Sequence, residues 1–230
     1  MNNSLIKDEF DLLQSLIELK QQRQIVELGC GAADLSRKLL ARYSDCDVTG
    51  LEVDKSQHAK NLLNPVQRLQ FVQAGAQAIP FPEATFDLAL MLKSLHHVPL
   101  DKMDQALLEV YRVLRPKGLL YVSEPVFAGD LNEVIRLFHD EEVVRTAAQR
   151  ALKDAVSSGI WEQVSEIRFE TPVHFRNFDE FERRLIGITY LDHRLDSTTL
   201  ELVRARFEAH MVADGAHFVR PMQLNLLRKC

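Results

Sequence analysis

Two acids bracket two glycines near the start of the chain: Glu27, Gly29, Gly31 and Asp34, within the stretch from Gln24 to Leu35 (QIVELGCGAADL). Glycines at this spacing let backbone pass close to a ligand. The flanking carboxylates give that approach a negative field, which is wrong for a pyrophosphate, since pyrophosphates bind the positive end of a helix. Asp34 stands where a dinucleotide-binding GxGxxG has its third glycine, and Glu27 adds a second charge just before the turn. A ligand with a positive centre fits better. Glu52 could accept hydrogen bonds from two ribose hydroxyls of either ligand class, so it does not discriminate. Further along, His96-His97 and Glu124 supply titratable groups. His96 is the candidate general base, the alternative being a helix-start residue bonded to backbone, which is the reading preferred for His97. Glu124 either faces an acceptor or shapes a Glu-Pro strand exit.

The elements that position these groups alternate regularly. Apolar Ile25, Val26 and Leu28 predict a first strand, and Leu35, Leu39 and Leu40 the buried face of the helix after it. Residues 48–53 predict a second strand, 56–63 a short helix stopped by Asn64-Pro65, and 68–73 a third strand. The nearly all-apolar run 86–92 predicts a central strand covered on both faces. Met103, Ala106, Leu107, Val110 and Leu114 form one stripe of a helix over 101–114, and 119–123 is a fifth strand. Five strands joined by long crossovers predict a parallel sheet with helices on both faces. Ligands bind such sheets beyond the carboxyl ends of the strands, where the glycine turn, Glu52, the Gly75 loop and His96 all fall. Leu5 to Ile17 predicts an opening helix, so residues 1–23 are read as an N-terminal helical segment.

Composition narrows the partners. The 230 residues carry a formal charge of −5 spread evenly along the chain, with no basic face to favour nucleic acid. Cys30, Cys46 and Cys230 have neither metal-ligand nor paired spacing, which fits a reduced, cytoplasmic chain. No apolar run approaches membrane length. S-adenosylmethionine carries both a sulfonium and an ammonium, the positive centres that Glu27 and Asp34 would suit.

Six segments in order, closing on Ser123-Glu-Pro125, then resemble one family: Val26-Glu-Leu-Gly-Cys-Gly31, Val48-Thr-Gly-Leu-Glu-Val-Asp54, Ala78-Ile-Pro-Phe-Pro-Glu83, Thr85-Phe-Asp-Leu88, Leu95-His-His-Val98 and Val113-Leu-Arg-Pro-Lys-Gly118. Over residues 25–125 the chain resembles the class I S-adenosylmethionine-dependent methyltransferases, in particular the quinone and small-molecule group. The resemblance implies an α/β, Rossmann-like, seven-stranded and mostly parallel sheet with an antiparallel last strand, for which 216–228 is the candidate. It also implies that Gly29 and Gly31 pass beside the methionine part of the cofactor, that Glu52 holds the ribose, and that the 75–77 turn flanks the adenine. The candidate cofactor-binding residues are thus Glu27, Gly29, Cys30, Gly31, Glu52 and Val53, then Ala76 and Gln77, and Met91, Leu92 and Lys93 at the end of the fourth strand. Three departures stand out. Ala33 replaces a glycine, Gly75 replaces the acid that meets the adenine amino group, and Lys93, His96 and His97 replace a metal-binding Glu-Glu-His set, so no metal site is expected.

The chain is read as a single methyltransferase domain with 24–125 as cofactor-binding core. Residues 126–160 and 177–214 are expected to form helical lid and substrate elements that exclude water from a small organic methyl acceptor. His139 to Glu142 reads as a solvated helix turn, Trp161 and Phe175 as core, and Arg183, Arg184, Arg204 and Arg206 as exposed faces. His174, Tyr190, His193 and Arg194 lie in this variable half. The competing readings are methylation of RNA or protein, a non-catalytic S-adenosylmethionine-binding module, and an oxidoreductase, the last opposed by Asp34.

Overall fold

The computed structural model describes residues 4–6, 8–187 and 195–230, so Lys7, Tyr190, His193 and Arg194 lie outside the described residues. It opens with a two-residue strand β1 (Ser4–Leu5) and helix α1 (Glu9–Leu16). Leu5 and Ile6 are therefore not helical, contrary to their spacing. Asp8 is the reason: its side chain caps α1 by accepting from the Phe10 N–H at 3.0 Å, and the chain before it is extended along Glu170.

Strand and helix then alternate through β2 (Gln24–Leu28), α2 (Asp34–Arg42), β3 (Asp47–Leu51), α3 (Lys55–Leu62), β4 (Leu69–Val72), β5 (Phe86–Leu92), α4 (Met103–Val113) and β6 (Leu114–Pro125). The stripe of α4 is buried as its period demands, but Leu114 already belongs to β6, where it pairs with Phe86 before the register shifts. After β6 come α5 (Asp130–Ile135), α6 (Glu142–Ser157), β7 (Trp161–Phe175), α7 (Phe178–Phe181) with a π-helical turn to Ile186, α8 (Ser197–Glu208), β8 (Met211–Val212) and β9 (Gly215–Lys229).

One sheet runs β1-β7-β9-β6-β5-β2-β3-β4, with β8 added on β9. Neighbours from β4 to β6 are parallel, while β9 is antiparallel to both β6 and β7. The expected seven strands are present in mixed orientation, with β1 and β8 as two-residue additions. Hydrophobic clusters cover both faces: Val26, Leu28, Met91 and Val122 with α4 and α6 on one, Ile25, Leu90 and Leu224 with α1 on the other.

A third cluster lies outside the sheet proper. Phe175, Phe178, Phe181, Phe207 and Phe218 pack with Leu131 and Val134 of α5, so the two segments that interrupt the sheet share one core. The Phe181 and Phe207 centroids are 4.9 Å apart. Phe207 is fully buried among these rings, so Phe207→Ala is expected to cost about 3–5 kcal/mol of stability in urea denaturation. A loss below about 1 kcal/mol would mean that this cluster is not packed as described.

Candidate functional site

The turn after β2 is built from three left-handed residues, Gly29 at φ +70, Gly31 at φ +53 and Ala33 at φ +58. Gly29 is required twice over, because a Cβ there would also lie 2.8 Å from that of Ser94. Gly31 faces open space instead, with nothing within 4 Å of such a Cβ. Ala33 takes up the left-handed geometry itself, at a conformational cost of about 1 kcal/mol. Two side chains lock the turn: Glu52 Oε2 accepts from the Gly31 N–H at 2.8 Å, and Asn61 Nδ2 donates to the Gly31 carbonyl at 2.7 Å. Glu52 is buried, and its other oxygen accepts from the Asp54 N–H at 2.8 Å. Both oxygens point where they do before any ligand arrives.

The two acids around the turn part company in the structure. Asp34 is exposed in the first turn of α2, where a carboxylate simply complements the helix dipole. Glu27 is buried, with the Ser36 hydroxyl donating to Oε2. Burial pushes its carboxyl from 4.5 up to about 7, and the Ser36 hydrogen bond only partly offsets this. Cys30 is buried against Asn61 and Gly31, and burial together with Glu27 and Glu52 pushes its thiol up to about 12, which makes it inert.

Along the rest of the rim the candidates divide. Val53 is 62% exposed beside Glu52, an apolar surface facing solvent at the end of β3. Ala76 is buried, and the Gln77 carboxamide folds back over Gly75, 2.4 Å from where a Cβ at 75 would stand. The amide thus fills the place left by the missing acid. Met91 and Leu92 differ from expectation: their side chains pack into the cores on opposite faces of the sheet, so only their backbone reaches the rim. Lys93, at φ +55, pairs with Glu9 of α1 at 3.3 Å and ties that helix over the turn.

His96 lies in a 3-10 turn after β5 and is buried. Its Nδ1 is hydrogen-bonded to Glu124 Oε2, while Glu124 Oε1 accepts from the Ser94 and Leu95 N–H groups at 3.0 and 2.8 Å. Glu124 is therefore turned inward to hold the histidine and does not face an acceptor. His96 Nε2 points at Glu141, 3.7 Å away, beyond hydrogen-bonding distance. His97 is solvent-exposed and lies against His96 with centroids 4.1 Å apart and the rings tilted by 42°; its ring is lowered below 6.5 by desolvation on its packed side and by His96.

Sequence reasoning missed the partners of this histidine. The stretch 139–142 is not a solvated helix turn, because Glu141 lies between α5 and α6 and is buried. Glu141 accepts from His139 Nε2 at 2.9 Å and Arg145 Nη2 at 2.6 Å, and Arg145 Nη1 donates to Asn132 Oδ1 at 3.1 Å. The (i, i+4) spacing of Glu141 and Arg145 was the available signal. His96, His97 and Glu141 offer three donor atoms within 4.8 Å of one another, and the Glu141 oxygens are also hydrogen-bonded to His139 and Arg145.

The Glu27 shift has a measurable sign. A carboxyl with a folded value above its unfolded one leaves stability intact below about pH 4.5 and removes it as pH rises through about 7. Glu27→Gln is expected to flatten that decline and to stabilise the ligand-free protein near pH 8 by up to about 3 kcal/mol. Identical melting profiles of the two proteins across pH 5 to 8 would refute this role for burial of Glu27.

Comparison with known proteins identifies this architecture. Residues 26–122 match the family described as a methyltransferase domain. The chain is 31% identical over 140 residues to a fatty-acid O-methyltransferase of Mycolicibacterium smegmatis, an alignment covering 60% of this chain and 50% of that one. It is 27% identical over 219 residues to a malonyl-[acyl-carrier protein] O-methyltransferase of Enterobacter lignolyticus, covering 92% and 82%. The chain spans half or less of the length of several other curated relatives it matches, for example 30% and 43%. The crystal structure of the YcgJ protein from Bacillus subtilis superposes with a TM-score of 0.67 at 16% identity, covering 96% of this chain and 97% of that one, a likeness of fold. The glycine turn and the buried Glu52 lie within residues 26–122, the part of the chain that is similar to a methyltransferase domain.

Proposed function

We propose that the chain transfers a methyl group from S-adenosylmethionine to a small organic acceptor by direct displacement, with His96 as the general base. The observation that carries this reading is the placement of a glycine turn locked by Glu52 and of a Glu124-held histidine on one carboxyl rim. The site residues fit the cofactor. Gly31 borders open space, Glu52 presents fixed acceptor oxygens for ribose hydroxyls, exposed Val53 offers an apolar face to the adenine, and Glu27 supplies negative charge near the sulfonium and ammonium. When bound, the cofactor supplies an electrophilic methyl group on a good leaving group.

What the chain must add is orientation and a destination for a proton. In-line approach carries much of the barrier reduction. With Glu27, Gly31, Glu52 and Val53 holding the cofactor, its methyl group would pass to the acceptor atom and the electron pair of the carbon–sulfur bond would stay on sulfur. An acceptor that arrives protonated delivers its proton to His96 Nε2, while Glu124 fixes the Nδ1–H tautomer and steadies the imidazolium. Segments 126–160 and 177–214, whose described residues share the aromatic cluster, act as the lid that excludes water. Relatives named for a fatty acid and for malonyl-[acyl-carrier protein] support acceptors of modest size. Three free cysteines are in keeping with the cytoplasm, and among the described residues no helix is long and apolar enough to cross a membrane.

S-adenosylhomocysteine is expected to bind the protein in calorimetry, more weakly as pH falls below about 7 because the Glu27 carboxylate is then protonated; no detectable binding at any pH would sink the function. His96→Asn is expected to lower kcat about 10²–10⁴-fold for acceptors that must lose a proton, with S-adenosylhomocysteine affinity unchanged. An unaltered kcat would reduce His96 to a packing residue.

A further inference from the structure

We propose that His96, His97 and Glu141 form a binding site for one divalent transition-metal ion, with zinc as its probe. A ring nitrogen of each histidine and a carboxylate oxygen of Glu141 lie within 4.8 Å of one another. His96 Nε2 and Glu141 Oε1 are 3.7 Å apart, too far for a hydrogen bond. A water donating to both at about 2.8 Å would hold them about 4.4 Å apart. Two donors about 2.1 Å from one tetrahedral ion stand about 3.4 Å apart, so the ion fits this gap better. Two imidazoles and a carboxylate suit zinc and leave a coordination position open.

The surroundings of the two buried ligands fit the same role. A metal-bound imidazole as a rule gives its other N–H to a carboxylate, which fixes the tautomer and aims the ligating nitrogen. His96 is arranged in this way: Nδ1 is bonded to Glu124, whose other oxygen takes the Ser94 and Leu95 N–H groups at 3.0 and 2.8 Å. The Nε2 lone pair is thereby turned toward Glu141, and two buried acceptors face each other unless a cation lies between them. Glu141 is fixed too, by His139 Nε2 at 2.9 Å on Oε1 and by Arg145 at 2.6 Å on Oε2. A carboxylate oxygen has two lone pairs, so Oε1 keeps one for an ion. Glu124 and Glu141 carry two negative charges against the one positive charge of Arg145, a balance that favours a cation.

The expectation of no metal site rested on Lys93 standing among the ligands. In the structure Lys93 is paired with Glu9 at 3.3 Å, and the carboxylate comes instead from the link between α5 and α6. His97, solvent-exposed, gives an ion its way in. Nitrogen donors select transition metals over magnesium and calcium, which take oxygen. The consequence for turnover rests on the methyltransferase reading above. An ion on Nε2 occupies the lone pair that would take the acceptor's proton, so a metal-loaded chain has its base switched off.

The test uses the full-length protein, stripped with a chelator, freed of it and titrated with zinc in calorimetry. The expected result is one zinc per chain, bound at least tenfold tighter than magnesium or calcium. His97→Asn and Glu141→Gln are each expected to weaken zinc tenfold or more, and Glu124→Gln about 10–100-fold through lost orientation of His96. Because His97 is exposed, His97→Asn is expected to melt with the parent in chelator, which separates lost binding from lost fold. His217→Asn, in the exposed cluster of His174, Asp214 and His217, is expected to leave zinc affinity within twofold. Cobalt in place of zinc is expected to give a visible spectrum that lacks a thiolate band and changes in His97→Asn. No zinc binding, unaltered binding by His97→Asn, preference for magnesium, loss of binding in His217→Asn, or a thiolate band each overturns the site. A parent that binds zinc as expected but not S-adenosylhomocysteine supports the site and overturns the methyltransferase reading. Where both bind, saturating zinc is expected to lower kcat tenfold or more for acceptors that must lose a proton, and unchanged turnover with zinc bound overturns the switch.

Discussion

A carboxylate taken out of water needs partners, and among the described residues the carboxyl rim of this sheet buries four: Glu27, Glu52, Glu124 and Glu141. Three of them are satisfied by groups that define the shape of the site. Glu52 takes the backbone N–H groups of Gly31 and Asp54, Glu124 takes those of Ser94 and Leu95 and the His96 ring, and Glu141 takes His139 and Arg145. Among the described residues Glu27 takes hydrogen bonds from Ser36 alone, and burial raises its carboxyl to about 7. The satisfied acids act as struts, and the unsatisfied one holds the charge available to a cation.

Packing decides how the second half of the chain relates to those struts. Helix α6 sends Ala148, Ala151 and Leu152 into the main core beside α4, whereas α5 packs with α7 and α8 in the aromatic cluster. The short link 136–141 between α5 and α6 therefore joins a helix anchored to the sheet with one anchored to the cluster. Arg145 bridges the two through Glu141 and Asn132, so a movement of the cluster relative to the sheet would be felt first at this ion pair.

Most of the fold was legible because its signals are redundant. The run 86–92 is apolar on both faces and could be little else than a central strand, and α4 buries each residue of its stripe from Met103 to Val113. Strand β1 was not legible, since two residues show no period and its pairing with Phe169 and Glu170 is set far along the chain. Within the site, Gly29, Gly31 and Glu52 were readable from local spacing. Asn61, Ser36 and Ser94 were not, because each acts by touching a turn that is distant in sequence or across a helix, and nothing in an Asn or Ser announces its partner.

The charged groups on the rim are ordered along the sheet. Glu27 lies near the end of β2, and His96 follows β5, the neighbouring strand, held by Glu124 at the end of β6. Partnered charges along the rim cancel locally and leave little field, whereas Glu27 makes no ion pair among the described residues. A cation brought to the glycine turn meets that charge, and a group that must lose a proton meets an imidazole one strand away, so the order of the strands sets the order of the two tasks.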